Sequence, residues 1–377
     1  MRSLVVYGAK PSPLPLSVAL KGQPVEIDQI PLRCGVVEAS QPRFDARKPE
    51  FSHSVLVRVR GFSCNYRDKG FAFMMQQFAQ TRFCPIGSEF IGEVVDVGAA
   101  VARFRKGDRV LPNHHYTGAL PGDGPSEGVA TNQSSREFIV LHEAKLLPAP
   151  SQMPDEVGAS FTLNAQTAYS MVRRAGVTAE DRVLVTSARS NTSLFLIHAV
   201  KAIGATVYAT TSSEASADQV RRLGGIEQVV AVGRGEGFSQ NEELVRIFKD
   251  DGMFSVVLDP MYDVHLERSA QLLAPFGRYV SCGMLAQNPN SRAASGLTRG
   301  PNCSKIMESV LQKNLSIIGN CVGTTHDLNR ALTDYADGRL EVTVDSTFEG
   351  ESAAPFLDRT FNSRERFGKV SFLYTTA

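Results

Sequence analysis

Over the first 150 residues apolar and polar positions alternate in short runs: LVVY, SVLVRVRGF, FIGEVVDVG, DRVLP and REFIVLHE. Glycine and proline separate the runs, and a period of two bounded by turn formers predicts half-buried strands in a β-rich domain. Two longer segments interrupt the rhythm. Residues 21–50 mix apolar, proline and charged positions, while residues 113–135 carry the Gly/Pro/Ser/Asn content of a mobile loop. Both lie in the domain expected to handle a substrate.

From Pro154 the period lengthens. MPDEVGASFTLNAQTAYSMVRRAG has helical spacing, and Asp155 and Glu156 suit a helix N-terminus. DRVLVTS then reads as a buried strand, residues 193–204 as a helix, ATVYATT as a strand, EASADQVRRLGG as a helix and EQVVAV as a strand. GMFSVVLD, the helix VHLERSAQLLAPF and the strand GRYVSCG continue the alternation. Val-rich strands separated by helices predict a parallel sheet covered on both faces. After about Gly319 the pattern is mixed again and ends in GKVSFLY. The expected organisation is therefore α/β in two domains, residues 1–153 with 320–377 and residues 154–319. A length of 377 residues agrees, being more than one ordinary core accommodates.

Composition narrows the function classes. There are 40 basic and 39 acidic residues, so nothing favours a polyanionic partner such as nucleic acid. Residues 1–20 hold three prolines and no sustained apolar run, and no segment has the ~20 apolar residues of a membrane span. The expectation is a cytoplasmic protein with no membrane or nucleic-acid partner. Six scattered cysteines (34, 64, 84, 282, 303 and 321) lack CxxC spacing and read as reduced, partly buried thiols.

The chemistry-bearing stretch is VLVTSARSNTSLFLIHAVKAIGATVYATTSS, Val183 to Ser213. In a dinucleotide-binding βαβ unit, glycines in the first turn let the backbone bend sharply and approach the pyrophosphate. Here Ser187, Ser190 and Ser193 stand at those positions. A helix N-terminus still offers N–H groups and a favourable dipole to an anion. The hydroxyls, the Asn191 amide and Arg189 add donors, so the whole turn, Ser187, Ala188, Arg189, Ser190, Asn191, Thr192 and Ser193, is the candidate phosphate loop. A dead, purely structural turn is the competing reading. The second strand ends in Thr210, Thr211, Ser212 and Ser213 with Glu214 one step later. Neutral hydroxyls there tolerate a 2′-phosphate, which favours NADPH over NADH, although no basic residue follows in the next turn.

These pieces together resemble the medium-chain dehydrogenase/reductase superfamily, and within it the zinc-free quinone reductase and enoyl reductase branch. The resemblance covers nearly the whole chain. It is carried by VLVRVRGFSCNYRDKG, the G-x-E-x-x-G-x-V-x-x-V-G run from Gly87 to Gly98 followed by GDRV, REFIVLHEAKLLPAP, LNAQTAY, the stretch above, VVLDPMYDVHLERSAQLLAPFGRYVSCG and FGKVSFLY. It implies a Rossmann cofactor domain joined to a GroES-like β-rich catalytic domain, and a homodimer. Zinc-dependent members hold catalytic zinc at positions that fall here on Asn65, Ser88 and Leu163. Those side chains are no zinc site. Cys64 is one residue out of register, and His114 and His115 read as solvated loop histidines.

The segment CNYRD resembles the N-Y-x-D of acyl-thioester enoyl reductases, where the asparagine borders the nicotinamide and the tyrosine donates a proton. Hydride addition to an enone or enoyl carbon leaves charge on an oxygen and a carbon needing a proton. Tyr66 is the candidate donor and Asn65 its orienting neighbour; packing at a domain edge is the bland alternative for Tyr66. Asp68 reads as a structural cap or ion-pair residue. The resemblance also implies cofactor contacts from Thr167, from Ser281, Cys282 and Gly283, and from Lys369, and it puts Arg292 and Arg299 in a substrate-side or dimer-contact loop. The expected function is zinc-independent, NADPH-dependent reduction of an activated C=C or C=O in an enone, quinone or enoyl thioester, with a specialised-metabolite intermediate as one source of substrate. The rival is a non-catalytic, ligand-binding relative with an eroded nucleotide pocket.

Overall fold

A computed structural model describes residues 1–11, 22–116, 128–233, 237–287 and 300–375. The chain forms two compact units, Met1–Leu163 with Val342–Ala377 and Asn164–Glu341. The second unit begins at Asn164 and ends at Glu341, later at both ends than the sequence-based limits of 154–319. Its helix Thr325–Ala336 is tied to the helix Thr162–Ala175 by Arg173–Asp327 (2.7 Å) and by Tyr169 donating to Asp334 (2.8 Å).

The first unit is β-rich. A seven-stranded sheet is organised around Ser54–Ser63, whose alternating SVLVRVRGFS buries every second residue before becoming wholly buried at its end. That strand pairs antiparallel with Glu89–Val97, Phe138–His142 and Lys369–Leu373. Ser63 therefore lies opposite both Glu89 and Ser371, which gathers residues from three distant stretches at one sheet end. A separate four-stranded sheet contains Arg2–Tyr7, Gln23–Ile27, Ile30–Glu38 and Phe83–Pro85. Phe62, Phe356, Phe372 and Tyr374 form the aromatic centre of the core, with ring centroids 5.5–6.0 Å apart around Phe62.

The second unit is a doubly wound α/β domain. Its six strands are all parallel, in the order Gln228–Ala231, Thr206–Thr211, Arg182–Val185, Phe254–Asp259, Leu273–Ser281 and Ser316–Gly319. The topological switch point falls between Arg182–Val185 and Phe254–Asp259, where such sheets open a crevice at the strands' carboxyl ends. One expected helix ends early: VHLERSAQLLAPF is helical only to Ala270, and Leu273 already pairs with Phe254. Sheet pairing overrides the helical period there. Among the described residues no helix is long and apolar enough to cross a membrane.

Candidate active site

In the first unit the end of Ser54–Ser63 leads through Cys64 into a tight turn and the helix Asp68–Met74. Asp68 shapes this turn: its Oδ2 accepts the Asn65 amide N–H (2.6 Å) and the Ser88 hydroxyl (2.8 Å). These bonds brace the turn before the helix and do not cap it: Arg67 stands at the N-cap, with no side-chain capping bond, and Asp68 is the first helical residue. Asp68 Oδ1 is buried without a partner, and burial pushes the acid up to about 6 against the pull of Asn65 and Ser88.

Glu89, fully buried, is the hub. Its Oε1 accepts from Lys369 Nζ (2.5 Å), Asn65 Nδ2 (2.8 Å) and the Ser63 hydroxyl (2.8 Å), and Oε2 accepts the Leu163 backbone N–H (3.0 Å). Burial raises the carboxyl, but the Lys369 ammonium and these donors outweigh it and hold Glu89 below the usual range. Lys369 Nζ also donates to Asn65 Oδ1 (2.9 Å), and Asn65 Nδ2 reaches Ser88 Oγ (3.1 Å). The three positions equivalent to zinc ligands, Asn65, Ser88 and Leu163, thus converge, but on a buried lysine–glutamate pair. Among the described residues no group of three His, Cys, Asp or Glu side chains is arranged to hold a metal. Oxygen and amide donors already spent on each other, with an ammonium in their midst, do not fit zinc.

Tyr66 is half-buried, and Lys69 Nζ lies over its ring, 4.8 Å from the centroid. That ammonium is fixed by both oxygens of Asp28 (2.8 and 2.9 Å). Cys64 packs into the hydrophobic core, and burial pushes its thiol well up, so it is no nucleophile. His114 corrects the expectation of a solvated loop histidine. It is fully buried, lies 3.2 Å from the Thr162 hydroxyl and accepts the Ala130 N–H (3.2 Å). Burial pushes its pKa down to about 3, so it is neutral. Its neighbour His115 is partly exposed.

In the second unit the turn after Arg182–Val185 is built as a hydrogen-bonded knot. Ser187 adopts a positive φ of 46°, the left-handed conformation for which glycine is the usual residue. Ala188 donates its N–H to Thr210 O (2.8 Å), tying the turn to the next strand. Ser190 caps the helix Asn191–Ile203 by accepting the Ser193 N–H (3.1 Å), and the buried Ser193 hydroxyl donates to Thr186 O (2.8 Å). Thr192 donates to Asn164 Oδ1 (3.2 Å). Two of the three serine hydroxyls thus hold the loop's shape, and the anion-binding capacity lies in the helix's first-turn amides and in Arg189.

Beneath the loop sits a cluster that periodicity did not single out. Asp259, fully buried at its strand's end, accepts the Thr186 hydroxyl (2.6 Å), the Met261 N–H (2.9 Å) and the Tyr279 hydroxyl, and pairs with His265 Nδ1 (2.9 Å). Burial raises this carboxyl too, but His265 and the hydroxyls outweigh it. His265 Nε2 then lies 3.5 Å from Ser187 Oγ. An acid closing a central strand was the available signal. Of the other expected cofactor residues, Thr167 is buried in its helix. Thr211 bonds Ser213 O (3.0 Å), and Ser212 and Ser213 are exposed at the second strand's end. Gly283 accepts the Tyr262 N–H (3.0 Å), beside Cys282, whose thiol burial pushes up to about 12. Lys369 is buried in the first unit, and Arg292 and Arg299 lie outside the described residues.

Comparison with known proteins agrees with this architecture. Residues 52–151 match the family model for the alcohol dehydrogenase GroES-like domain, and residues 192–337 that for the zinc-binding dehydrogenase. Acryloyl-coenzyme A reductase of Metallosphaera sedula is 25% identical over 363 residues, covering 90% of this chain and 99% of that protein. A phenolphthiocerol/phthiocerol polyketide synthase of Mycobacterium tuberculosis is 26% identical over 76% of this chain, a match that spans only 12% of the synthase. Among solved structures, a 2-octenoyl-CoA carboxylase reductase in complex with NADP and 2-octenoyl-CoA superposes with a TM-score of 0.74 at 22% identity, covering 99% of this chain and 87% of that one. The two matched domain models together take up more than half of the sequence, and the chain belongs to the medium-chain dehydrogenase/reductase superfamily.

Proposed function

We propose that this protein is a zinc-independent, NADPH-dependent reductase of an activated C=C bond, with a 2-enoyl thioester as its substrate class. The observation that carries the reading is the Asn65–Ser88–Glu89–Lys369 network: the positions that hold catalytic zinc in zinc-dependent relatives carry Asn65, Ser88 and Leu163, hydrogen-bonded into a network around the buried Glu89–Lys369 pair. Bound NADPH would supply the hydride. Hydride addition at the β-carbon moves an electron pair onto the thioester oxygen, and a proton must then reach the α-carbon to give the saturated thioester. Tyr66 is the proton donor in this reading, its ring braced by Lys69, and Asn65 is held in orientation by Glu89 and Lys369. The Asn191–Ile203 helix N-terminus would receive the pyrophosphate, with Ser187 at its rim. Thr167, Cys282 and Gly283 remain candidates for the nicotinamide side, and a homodimer is part of the proposal.

The rival reading, a non-catalytic relative, is favoured by the serine hydroxyls that satisfy one another. Both are tested by following NADPH oxidation with short 2-enoyl-CoA thioesters, enones and quinones, with and without a metal chelator. The expected result is chelator-insensitive turnover, fastest with the thioester, that falls roughly 100-fold or more in Tyr66→Phe. Turnover abolished by the chelator would remove zinc independence. Absence of NADPH binding by calorimetry would leave the rival.

A further inference from the structure

The second strand of the nucleotide-binding unit ends in hydroxyls, and no basic residue follows in the next turn. The structure supplies a cation from elsewhere. Ala188 is pinned to Thr210 O, which brings the following residue, Arg189, against the end of Thr206–Thr211. Its Nη1 donates to Ser216 Oγ (2.9 Å), in the first turn of the helix Glu214–Arg221. Ser216 Oγ in turn lies 2.9 Å from Ser213 Oγ, the residue that caps this helix. A loop donor and a helix start are thus joined around one small surface.

The charge at this surface is uncompensated. Among the described residues Arg189 has no carboxylate partner, and burial alone acts on its guanidinium, lowering its pKa. The nearby acid of that helix, Glu214, is directed to Arg221 (3.2 Å). A half-buried guanidinium with five donors, one of them spent on a neutral hydroxyl, is matched by a dianion that accepts several hydrogen bonds at once.

We propose that Arg189, with the hydroxyls of Ser213 and Ser216, forms a phosphomonoester subsite that receives the 2′-phosphate of NADPH and sets the choice against NADH. This rests on the NADPH reading above and specifies it: selectivity comes from an arginine in the phosphate loop, reaching sideways, in place of a basic residue after the second strand. Ser212 and Ser213 complete the site by what they lack, since a carboxylate there would repel the phosphate and capture a free ribose hydroxyl instead.

Dissociation constants for NADPH, NADH and adenosine 2′,5′-bisphosphate, measured by calorimetry on the full chain and on Arg189→Gln, test this. Arg189→Gln is expected to weaken NADPH and adenosine 2′,5′-bisphosphate by roughly 10- to 100-fold, the size of a lost charge-assisted contact, while NADH changes by less than about threefold. Arg189→Lys, a point charge without the planar fork, should recover part of the loss. Equal weakening of NADPH and NADH would put Arg189 on the pyrophosphate and overturn the inference. An unchanged NADPH preference in Arg189→Gln would also overturn it, with the reductase reading intact. Failure of the wild-type chain to bind either dinucleotide would overturn both.

Discussion

Asp68 carries one oxygen that accepts two hydrogen bonds and one that is buried without a partner, because the Ser88 hydroxyl and the Asn65 amide converge on the same atom. That imbalance gives a signed prediction. The folded-state pKa is raised, to about 6, so the acid's contribution is fully present below the unfolded-state value near 4 and is lost as pH rises through 6. A displacement of that size corresponds to roughly 3 kcal/mol. Glu89, with a depressed pKa, acts in the opposite direction over an overlapping range, so the useful quantity is a difference between proteins. The stability of Asp68→Asn relative to wild type, from urea melts, should rise by roughly 2–3 kcal/mol between pH 4 and pH 7. A difference that does not move with pH would mean that the buried carboxyl is paired by something other than the contacts described. The N-Y-x-D spacing was enough to make Asp68 a local structural residue, but it braces the turn back to Asn65 and does not cap the helix. Glu89 and Lys369 were less legible. They meet across 280 residues of sequence, through the register that sets Ser63 opposite both strands, and no local pattern encodes that meeting.

At the scale of an element, the serine-rich turn was correctly placed between strand and helix, with its helix starting two residues earlier than the spacing indicated, at Asn191. What sequence could not give was the division of labour among the serines. Ser193 and Ser190 point into the knot, and Ser187 takes the left-handed backbone that glycine would take without strain. Serine at a positive φ costs about 1 kcal/mol, whereas glycine costs a similar amount of unfolded-state entropy. These offset, so Ser187→Gly should change stability by less than about 1 kcal/mol. Ser190→Ala removes the cap and exposes the imbalance: it should cost about 1 kcal/mol. Paired thermal melts of the two variants check this. A larger loss in Ser187→Gly than in Ser190→Ala would show that the Ser187–His265–Asp259 chain, and not the cap, holds the turn.

Over the whole molecule, the parallel sheet and the β-rich unit were legible because strand and helix periods differ so plainly along the chain. The end of the second unit was not, because Thr325–Ala336 is held there by long-range pairs such as Arg173–Asp327. The sheet order also fixes which strands are left at the edges, Gln228–Ala231 and Ser316–Gly319, and the second of these decides the last expectation. Ser316–Gly319 pairs with Leu273–Ser281 on one side, and among the described residues nothing pairs with it on the other. Such an edge is usually guarded by charge, proline or a covering element. Here Ile317 on the strand is 45% exposed, and the preceding helix Cys303–Lys313 leaves Met307 49% and Leu311 73% exposed. An open edge with apolar neighbours is suited to a second copy of itself, since a two-fold axis lets one surface complete the other. Sedimentation at micromolar concentration should therefore give a dimer, and Ile317→Lys, which places a charge on the edge without touching either core, should shift it to monomer while the far-UV spectrum is unchanged. A wild-type chain that sediments as a monomer, or an Ile317→Lys dimer as tight as wild type, would move the association to another surface or remove it.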